Sequence, residues 1–527
     1  MYKHYSILFL LLLLIGGCKK EAPEKTTPAI ESKLPRDSAS VVFDSVAVTQ
    51  KKDETLTAFY RLYGFGTVWN KPEARQKLIR LLLDSDQEGL IPNDYNIQKI
   101  QKLEPKAQTF SDSEMIAYDL LLTASAQKYL WHLSNGKLDP KKIYRDWDLK
   151  KNKVDINGLL ASGIQGDSVA AVFESVKPKH MIYQSLKDAL QKIEQYPRDT
   201  VKTIKFVQKI VRGDTSNAMP SVKKTLMIWK DLAKSDSLSD IYDRKTVKAV
   251  KNFQRRNGLT ADGVIGKSTV DALNLSVEKR KHQIIANLER WRWYPRDMGD
   301  HYIIVNIAGY YLRVIKDNDT IERKRIVVGK SERKTPILSS MFNNIVFNPT
   351  WTVPPTIIRE DLVPDATNNR SYFANRNITI YNSRGKIVDP EKWNPKNPRA
   401  YRYVQAPGYY NSLGVVKFNF PNHYTVYLHD TNHRDYFGKQ YRSLSSGCVR
   451  VEDPLPLAEY MLNDSIRWSR AKIDTLVATK KTTTINLKQK IRLHQLYWTA
   501  WMERNGDFEF RPDIYNLDED LYLKLRK

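Results

Sequence analysis

The sequence contains very little cysteine: among its 527 residues, only Cys18 and Cys448 are cysteines. Cys18 directly follows a short apolar run and two glycines, so we interpret it as part of the N-terminal segment. Cys448 is then the one thiol in the remainder of the chain, and an intramolecular disulfide framework is excluded. A lone cysteine is usually a small buried apolar residue, but Cys448 lies between Gly447 and Arg450 in a polar loop, which favours chemistry.

Several other signals are missing. The chain has no zinc-finger spacing, no P-loop and no RNA-binding aromatic motif, and its histidines lack close Cys or His partners. We therefore expect no metal site, no cofactor and no nucleic-acid partner. Acidic residues are too few to balance the basic ones, since 59 Asp and Glu face 85 Lys and Arg, a net charge of +26. That charge suits an anionic lipid or a carboxylate-rich polymer, although taken alone it is most often only a solvated surface.

The sequence has no long apolar run, and the apolar run near its N-terminus is short. Residues 7–15 form an apolar run of nine residues after Lys3 and His4, too few to span a bilayer but typical of a signal-peptide core. The segment 15–18, Ile-Gly-Gly-Cys, resembles a bacterial lipobox, which implies that Cys18 becomes an acylated N-terminus. An ordinary signal peptide or an uncleaved anchor is the alternative. The polar stretch that follows predicts a flexible tether over 19–50.

The length predicts two to four domains, because a single core rarely serves 527 residues. Apolar residues recur at helical spacing over 51–200, which predicts a helical domain. A compact module follows over 201–276, where Thr246, Ala249, Val250 and Phe253 form one apolar helix face. Gly258 suits the end of that helix, and Asp262-Gly263 suits a turn.

The periodicity changes from about residue 300. Alternating apolar residues and turn signals predict a mainly-β domain over 300–475. Residues 356–407 are polar and rich in Asn, Arg, Tyr and Pro, which predicts an insertion near the active site that acts as a lid. Residues 476–527 contain another predicted strand and are expected to pack on this domain as a C-terminal extension. The predicted fold class is therefore multidomain α+β.

One pattern in the β domain carries chemistry. His429 ends the β-rich run 425–428, and a tight loop, Ser445-Ser446-Gly447-Cys448, follows with Cys448 nineteen positions after His429. An imidazole can take the proton of a thiol, and the thiolate then attacks a carbonyl carbon. The glycine allows close approach of the backbone, whose N–H groups suit a developing oxyanion.

This pattern resembles the signature of the L,D-transpeptidases, the family with a YkuD-type catalytic domain. The resemblance implies that Cys448 is the nucleophile and His429 the general base and acid. It further implies that the backbone carbonyl of Asp430 orients the imidazole and that backbone N–H groups at Gly447 form the oxyanion hole. Many members carry histidine at the position of Ser446, whereas larger members often carry serine, so the difference indicates a subfamily.

The resemblance extends to the rest of the chain. Segments 87–95 and 135–140 look like the scaffold domain of large L,D-transpeptidases, and 253–266 closely resembles a three-helix peptidoglycan-binding domain. That module either binds the wall or only packs on other domains, and the two alternatives stay open. The run around Asn411 resembles the family's asparagine-x-leucine-glycine segment. Ser446, Arg450 and Asn411 are the candidate substrate-binding residues, although Arg450 could equally brace the loop.

The implied reaction is a direct cross-link between peptidoglycan stem peptides through a cysteine acyl-enzyme. The implied donor is a tetrapeptide stem, and the implied acceptor is the side-chain amine of a neighbouring stem. Water in place of that amine would make the protein an L,D-carboxypeptidase. A papain-like peptidase is disfavoured because its cysteine precedes its histidine. A non-catalytic peptidoglycan-binding lipoprotein would leave Cys448 unexplained. The expected location is the periplasm of a Gram-negative bacterium, with a membrane anchor through the lipid on Cys18.

Overall fold

The computed structural model describes residues 34–527 except 36, 38, 199, 200, 236 and 237. The predicted signal peptide and its lipid-attachment residue Cys18 lie outside the described residues. Within the described residues, no helix has both the length and the apolar character needed to cross a membrane.

Helices dominate the first part of the chain, as predicted. They are α1 (Val46–Thr49), α2 (Glu54–Leu62), α3 (Pro72–Leu83), α4 (Ile97–Leu103), α5 (Asp112–Asn135), α6 (Pro140–Ile143), α7 (Ile156–Gln165), α8 (Val169–Ser175) and α9 (Met181–Ile193). Helix α5 begins with a capping box between Ser111 and Glu114 and is the central helix of this region. Its residues Leu122, Leu130 and Leu133 are fully buried among the other helices.

The last part of the predicted tether is packed against the helical region. Val41 N donates to Thr67 Oγ1 at 2.9 Å, and Thr67 N donates back to Val41 O at 3.0 Å. Phe43 N donates to Phe65 O at 2.9 Å, and α1 lies within the same segment. A flexible tether that reaches residue 50 is therefore wrong, because the apolar residues near its end pair with the edge of the helical domain.

The small module contains helices α10 (Met219–Ile228), α11 (Arg244–Arg256) and α12 (Lys267–Leu273). The four predicted apolar residues of α11, from Thr246 to Phe253, are all buried. Asp243 caps the helix by accepting from Thr246 N at 2.8 Å, and Gly258 follows its end with φ +68°. The module packs on the C-terminal part of the chain, where Arg511 Nη1 donates to Arg256 O at 3.2 Å.

Helix α13 (Val277–Trp293) leads from the module into the β domain. The strands are β1 (Trp147–Asp148), β2 (His301–Asn306), β3 (Tyr311–Lys316), β4 (Asp319–Gly329), β5 (Ile337–Met341), β6 (Asn344–Phe347), β7 (Trp351–Thr352), β8 (Ile378–Tyr381), β9 (Ile387–Val388), β10 (Arg402–Gln405), β11 (Val416–Asn419), β12 (Leu428–His429), β13 (Ser443–Ser445), β14 (Val449–Val451), β15 (Thr483–Asn486), β16 (Arg492–Leu496), β17 (Ala500–Met502) and β18 (Phe508–Phe510). The remaining helices are α14 (Pro355–Ile357), α15 (Val363–Asn368), α16 (Ser371–Asn375), α17 (Leu455–Leu462), α18 (Arg470–Ala478) and α19 (Asp518–Leu525).

The main sheet has the strand order β1-β5-β16-β2-β3-β4-β14-β12-β11-β6-β15, with β13 paired to β4. The C-terminal strand β16 lies inside this sheet, parallel to β2 and antiparallel to β5. Strand β1 comes from the helical region and pairs with β5 at the sheet edge, Trp147 opposite Ile337. The helical region and the C-terminal part of the chain therefore both contribute strands to the sheet that carries the candidate site, and the fold is multidomain α+β, as predicted.

The predicted lid is a small folded unit. Strands β7, β10, β8 and β9 form a separate four-stranded sheet. Its own apolar core contains Leu362, Phe373, Trp393 and Tyr403, and Trp393 Nε1 donates to the Tyr403 hydroxyl at 2.7 Å. A π-helical turn, Ile358–Leu362, lies at the side of this unit that faces the catalytic loop.

Candidate active site

The candidate nucleophile and base are brought together by two short parallel strands. Strand β12 pairs with β14 so that Leu428 lies opposite Val449 and His429 opposite Arg450. Val449 N donates to Tyr427 O at 3.1 Å, which continues the same register to Tyr427 and Cys448. Paired residues point to the same side of a sheet and successive residues alternate. Tyr427, His429, Cys448 and Arg450 therefore share the face opposite the core residues Leu428 and Val449.

A third strand adds a cation to this face. Strand β11 pairs with β12 so that Lys417 lies opposite His429. Lys417 Nζ lies 3.9 Å from the centroid of the Tyr427 ring, and the Tyr427 and His429 rings are 5.6 Å apart. No role was predicted for Lys417 or Tyr427 from the sequence. A usable signal was the lysine itself, because it interrupts an otherwise apolar strand between Val416 and Phe418.

The imidazole of His429 is buried and uncharged. Its exposed fraction is 4%, and burial lowers its pKa to about 3, with further lowering by the nearby charges of Arg450 and Lys417. Hydrogen bonding with the backbone of Asp430 opposes this lowering, and the role of Asp430 in orienting the ring stays a prediction. Nδ1 of His429 is buried without a hydrogen-bond partner among the described residues. A neutral imidazole with one nitrogen available can accept a proton.

The Cys448 thiol lies on the same face of the sheet as this imidazole, opposite Tyr427, and is partly buried. Burial raises the pKa of the thiol above its usual range. Hydrogen bonding with Tyr427 and the positive charges of Lys417 and Arg450 lower it in part. At neutral pH the thiol and the imidazole are therefore both neutral.

The loop before Cys448 is held by its own hydrogen bonds. Gly447 has φ +113°, a conformation that favours glycine. Its N–H donates to Ser445 Oγ at 3.2 Å, and its carbonyl accepts from Thr335 Oγ1 at 2.9 Å. Ser445 Oγ donates to Cys448 O at 2.6 Å. In this state the Gly447 N–H is thus engaged by Ser445, so a role in the oxyanion hole requires that bond to be exchanged for the oxyanion.

The side chain of Asp430 braces the same region from the other side. Asp430 Oδ2 accepts from Val415 N at 2.9 Å and from Arg434 Nη2 at 2.7 Å. Burial raises the pKa of this carboxyl, and these hydrogen bonds oppose the increase. A Cβ at Gly414 would lie 2.2 Å from Asp430 Oδ2, so glycine is required for the carboxylate to reach the loop. Asp430 therefore fixes the chain on both sides of its strand in addition to its backbone role.

The three predicted substrate-binding residues have different surroundings. Asn411 is 2% exposed and bonds only to the backbone of its own loop, with Ala406 O at 2.8 Å and Leu413 N at 2.8 Å. Those contacts favour a structural role for Asn411. Ser446 is exposed, and its hydroxyl accepts from Arg333 Nη1 at 2.8 Å. Arg450 lies on the nucleophile face, and its Nε and Nη1 are buried without partners in the described part of the chain.

Arg333 connects the lid to the nucleophile loop. Its guanidinium pairs with both oxygens of Asp361, at 2.8 Å and 3.0 Å, and with Glu360 Oε2 at 3.0 Å. The same guanidinium donates to Ser446 Oγ, two residues before Cys448. This link was not predicted, because residues 333, 361 and 446 are distant in sequence. Across the described ranges, no group of three or more His, Cys, Asp or Glu side chains is arranged to hold a metal ion.

Three family models match the chain in the order predicted. The model described as "L,D-transpeptidase catalytic domain" matches residues 300–484 and includes both His429 and Cys448. The "Scaffold domain" matches residues 54–190, and the "Putative peptidoglycan binding domain" matches residues 215–273. The chain therefore contains a match to an L,D-transpeptidase catalytic domain, preceded by matches to a scaffold domain and a peptidoglycan-binding domain.

Known proteins are similar to parts of this chain. A curated protein of Haemophilus influenzae, named "Putative L,D-transpeptidase", is 35% identical over 291 residues, which cover 53% of this chain and 58% of the relative. The chain thus spans somewhat more than half of that relative's length. Solved L,D-transpeptidases from Xylanimonas cellulosilytica and Stackebrandtia nassauensis are each 14% identical. They cover 55% and 56% of this chain and 99% and 97% of their own chains, with TM-scores of 0.18 and 0.21.

Proposed function

We propose that this protein is a cysteine-dependent L,D-transpeptidase that joins peptidoglycan stem peptides directly to one another. The single observation that supports this most is the strand register that puts Cys448 on the same sheet face as the neutral imidazole of His429, whose Nδ1 has no partner within the described residues. The peptidoglycan-binding and catalytic family matches support peptidoglycan as the substrate.

The proposed reaction has two halves. His429 takes the proton of Cys448 as Sγ forms a bond to the carbonyl carbon of the donor stem, and backbone N–H groups of the loop bind the oxyanion. The peptide C–N bond breaks, and the departing amine receives the proton from His429. An amine of a neighbouring stem then attacks the thioester and gives its proton to His429, and Sγ leaves and is reprotonated. Loss of one oxyanion donor typically costs about 3 kcal/mol of transition-state stabilisation.

Arg450 is the proposed anion-binding residue. Its guanidinium lies 5.6 Å from the Tyr436 ring centroid and holds two buried N–H groups without partners among the described residues. Unpaired buried donors are costly, so a carboxylate that enters the site would be bound strongly there. Ser446 is the proposed contact at the rim of the site, where Arg333 already binds its hydroxyl.

The alternative in which water resolves the thioester gives an L,D-carboxypeptidase from the same acyl-enzyme. The two products differ in mass, so one measurement separates them. We further propose that the protein is exported to the periplasm and anchored by a lipid on Cys18, on the basis of the lipobox-like segment 15–18.

The test is intact-mass spectrometry of the full-length protein, purified from a native-like bacterial host in mild detergent. It is incubated with a carbapenem or with tetrapeptide-bearing muropeptides. We expect a carbapenem adduct on the wild type and none on Cys448→Ala. With muropeptides we expect cross-linked dimers, a release of the terminal residue, and an activity loss of at least about 100-fold in His429→Gln. The same spectrum reads the mass of an acylated N-terminus at Cys18.

The matched control is His433→Gln. His433 lies four residues after His429, is exposed and stacks on Tyr436 with ring centroids 4.8 Å apart. We expect this variant to keep most of the wild-type activity. Shortened stems without dimers would favour the carboxypeptidase, and a folded wild type with neither adduct nor product would exclude the catalytic proposal.

A further inference from the structure

Lys417 occupies an unusual position for a surface-type residue. It lies on β11 between the buried residues Val416 and Phe418, opposite His429 on the next strand. Its ammonium is held against the face of Tyr427, with Nζ 3.9 Å from the ring centroid. A cation over an aromatic face is stabilised by the ring, so the charge is retained beside the Cys448 face of the sheet.

This cation has no acidic partner. No carboxylate in the described ranges lies within ion-pair distance of Lys417 Nζ, although most other partly buried lysines near a core, such as Lys177 and Lys187, pair with one. Burial lowers the pKa of Lys417, and the negative charge of an ionised Cys448 raises it. A partly buried ammonium without a counter-ion favours formation of a negative charge nearby.

We propose that Lys417, acting through the ring of Tyr427, is a positioning residue that stabilises the negative charge formed on Cys448 Sγ. The ammonium over the ring polarises the phenol, so that the Tyr427 hydroxyl is a stronger hydrogen-bond donor to sulfur. When the Sγ–H bond breaks, the proton passes to His429 and the electron pair stays on Sγ until the bond to the substrate carbon forms. This inference rests on the proposed role of Cys448 as the nucleophile.

The other charged and titratable groups around the thiol do not make Lys417 redundant. His429 and Tyr427 face it from β12, Arg450 faces it from β14, and Arg333 approaches through Ser446 but is neutralised by Asp361. His429 is neutral at rest, so Lys417 and Arg450 are the two cations available to a thiolate. Arg450 lies beside Tyr436, whereas Lys417 lies beside Tyr427, the residue opposite Cys448.

The test is the pH dependence of Cys448 alkylation by iodoacetamide, a small neutral electrophile, in the full-length protein. Cys18 is outside the reaction when it is lipidated, and Cys448→Ala measures any background. We expect Lys417→Met to move the midpoint of the profile about one pH unit higher and to slow alkylation at pH 7 about tenfold. Lys417→Arg, which keeps the charge, is expected to restore most of the rate, and Tyr427→Phe is expected to resemble Lys417→Met.

Lys439→Met is the matched control, because Lys439 Nζ lies 4.1 Å from the Tyr436 ring centroid but is exposed. We expect it to leave the profile unchanged. If Lys417→Met is unfolded by circular dichroism, Lys417→Gln is measured in its place. An unchanged midpoint in a folded Lys417 variant, or a rise in KM for stem peptides without a change in alkylation, would overturn the inference. Because iodoacetamide requires no wall substrate, a shifted midpoint in a protein without cross-linking activity would contradict the proposed function alone.

Discussion

The imidazole of His429 sets the acid limit of the chemistry. Burial, with the charges of Arg450 and Lys417, holds its pKa at about 3 in the folded protein, against about 6.5 in an unfolded chain. The base is thus free of its proton over the whole physiological range. Below about pH 6.5 the unfolded chain binds a proton at His429, whereas the folded protein does not. His429 therefore lowers the free energy of unfolding progressively as the pH falls from about 6.5 towards about 3.

We therefore expect kcat/KM for acylation by a carbapenem to show no decline centred near pH 6.5. The rate should fall only well below pH 5, where His429 begins to bind a proton. The measurement is the rate of adduct formation between pH 4.5 and 8, with circular dichroism at each pH to confirm that the protein is folded. A tenfold loss between pH 7 and 5.5 in a folded protein would contradict the assignment of His429 as a neutral base.

At this scale the sequence was informative wherever a residue's neighbours in the chain define its role. The spacing of His429 and the glycine loop predicted a nucleophile and a base, roles that stay predictions, and the catalytic-domain model spans both residues. Lys417 and Tyr427 could not be assigned, because their contact depends on the register between β11 and β12. Asn411 was predicted to bind substrate from its motif alone, whereas its side chain bonds to Gln405 O and Ala406 O in its own loop.

At the scale of elements, the lid and the catalytic loop meet at one arginine. Arg333 is 17% exposed and binds Glu360 and Asp361 of the lid together with Ser446 of the loop. This arrangement lowers the pKa of Asp361, chiefly through its hydrogen bonds from Arg333. The π-helical turn that carries both acids is a feature often found at functional sites. The position of the lid over the site therefore depends on a small number of charged hydrogen bonds.

We expect Arg333→Met to loosen the lid without unfolding it, since its own core around Phe373 and Trp393 is intact. Loss of a partly exposed charged contact of about 1 kcal/mol should increase hydrogen exchange in 358–362 about fivefold and raise KM more than it lowers kcat. Arg359→Met is the control, because Arg359 is 65% exposed and pairs only with Glu360. Equal exchange in both variants would exclude a role for Arg333 in holding the lid.

The sequence predicted most elements but not how they assemble. The apolar run near residue 493 predicted a strand, yet the structure places β16 between β5 and β2 rather than on the back of the domain. Strand β1 has only two residues and lies among helices, so no periodicity could identify it. Both pairings join segments more than 150 residues apart, Trp147 with Ile337 and Arg492 with Tyr302. Local patterns specify a strand, whereas its partner is decided by packing.

At the scale of the whole molecule, the scaffold is joined to the catalytic core at a buried charged residue. Glu88 is 2% exposed, and its carboxylate binds Lys177 at 2.9 Å, Lys187 at 2.8 Å and the Tyr183 hydroxyl at 2.5 Å. Its backbone carbonyl accepts from Arg292 of α13, the helix that leads into the β domain. Burial alone would raise the pKa of Glu88, but Lys177, Lys187 and Arg292 lower it to about 2.

This junction gives a prediction for stability and its pH dependence. Glu88→Gln leaves the partly buried ammonium of Lys187 without its carboxylate partner and that of Lys177 with the exposed Glu174 alone. It should lower the free energy of unfolding by about 3 kcal/mol at pH 7. The pKa of Glu88 is depressed on folding, so its contribution is complete above about pH 4.5 and is lost as the pH falls through about 2. The difference in the free energy of unfolding between wild type and variant should accordingly shrink from pH 7 to pH 3, as measured by urea unfolding with tryptophan fluorescence.

Asp271→Asn is the control, because Asp271 is 58% exposed in its pair with Lys267. Loss of this pair should change the free energy of unfolding by less than about 0.5 kcal/mol. A Glu88→Gln protein as stable as Asp271→Asn at pH 7 would show that the Glu88 carboxylate does not stabilise this junction.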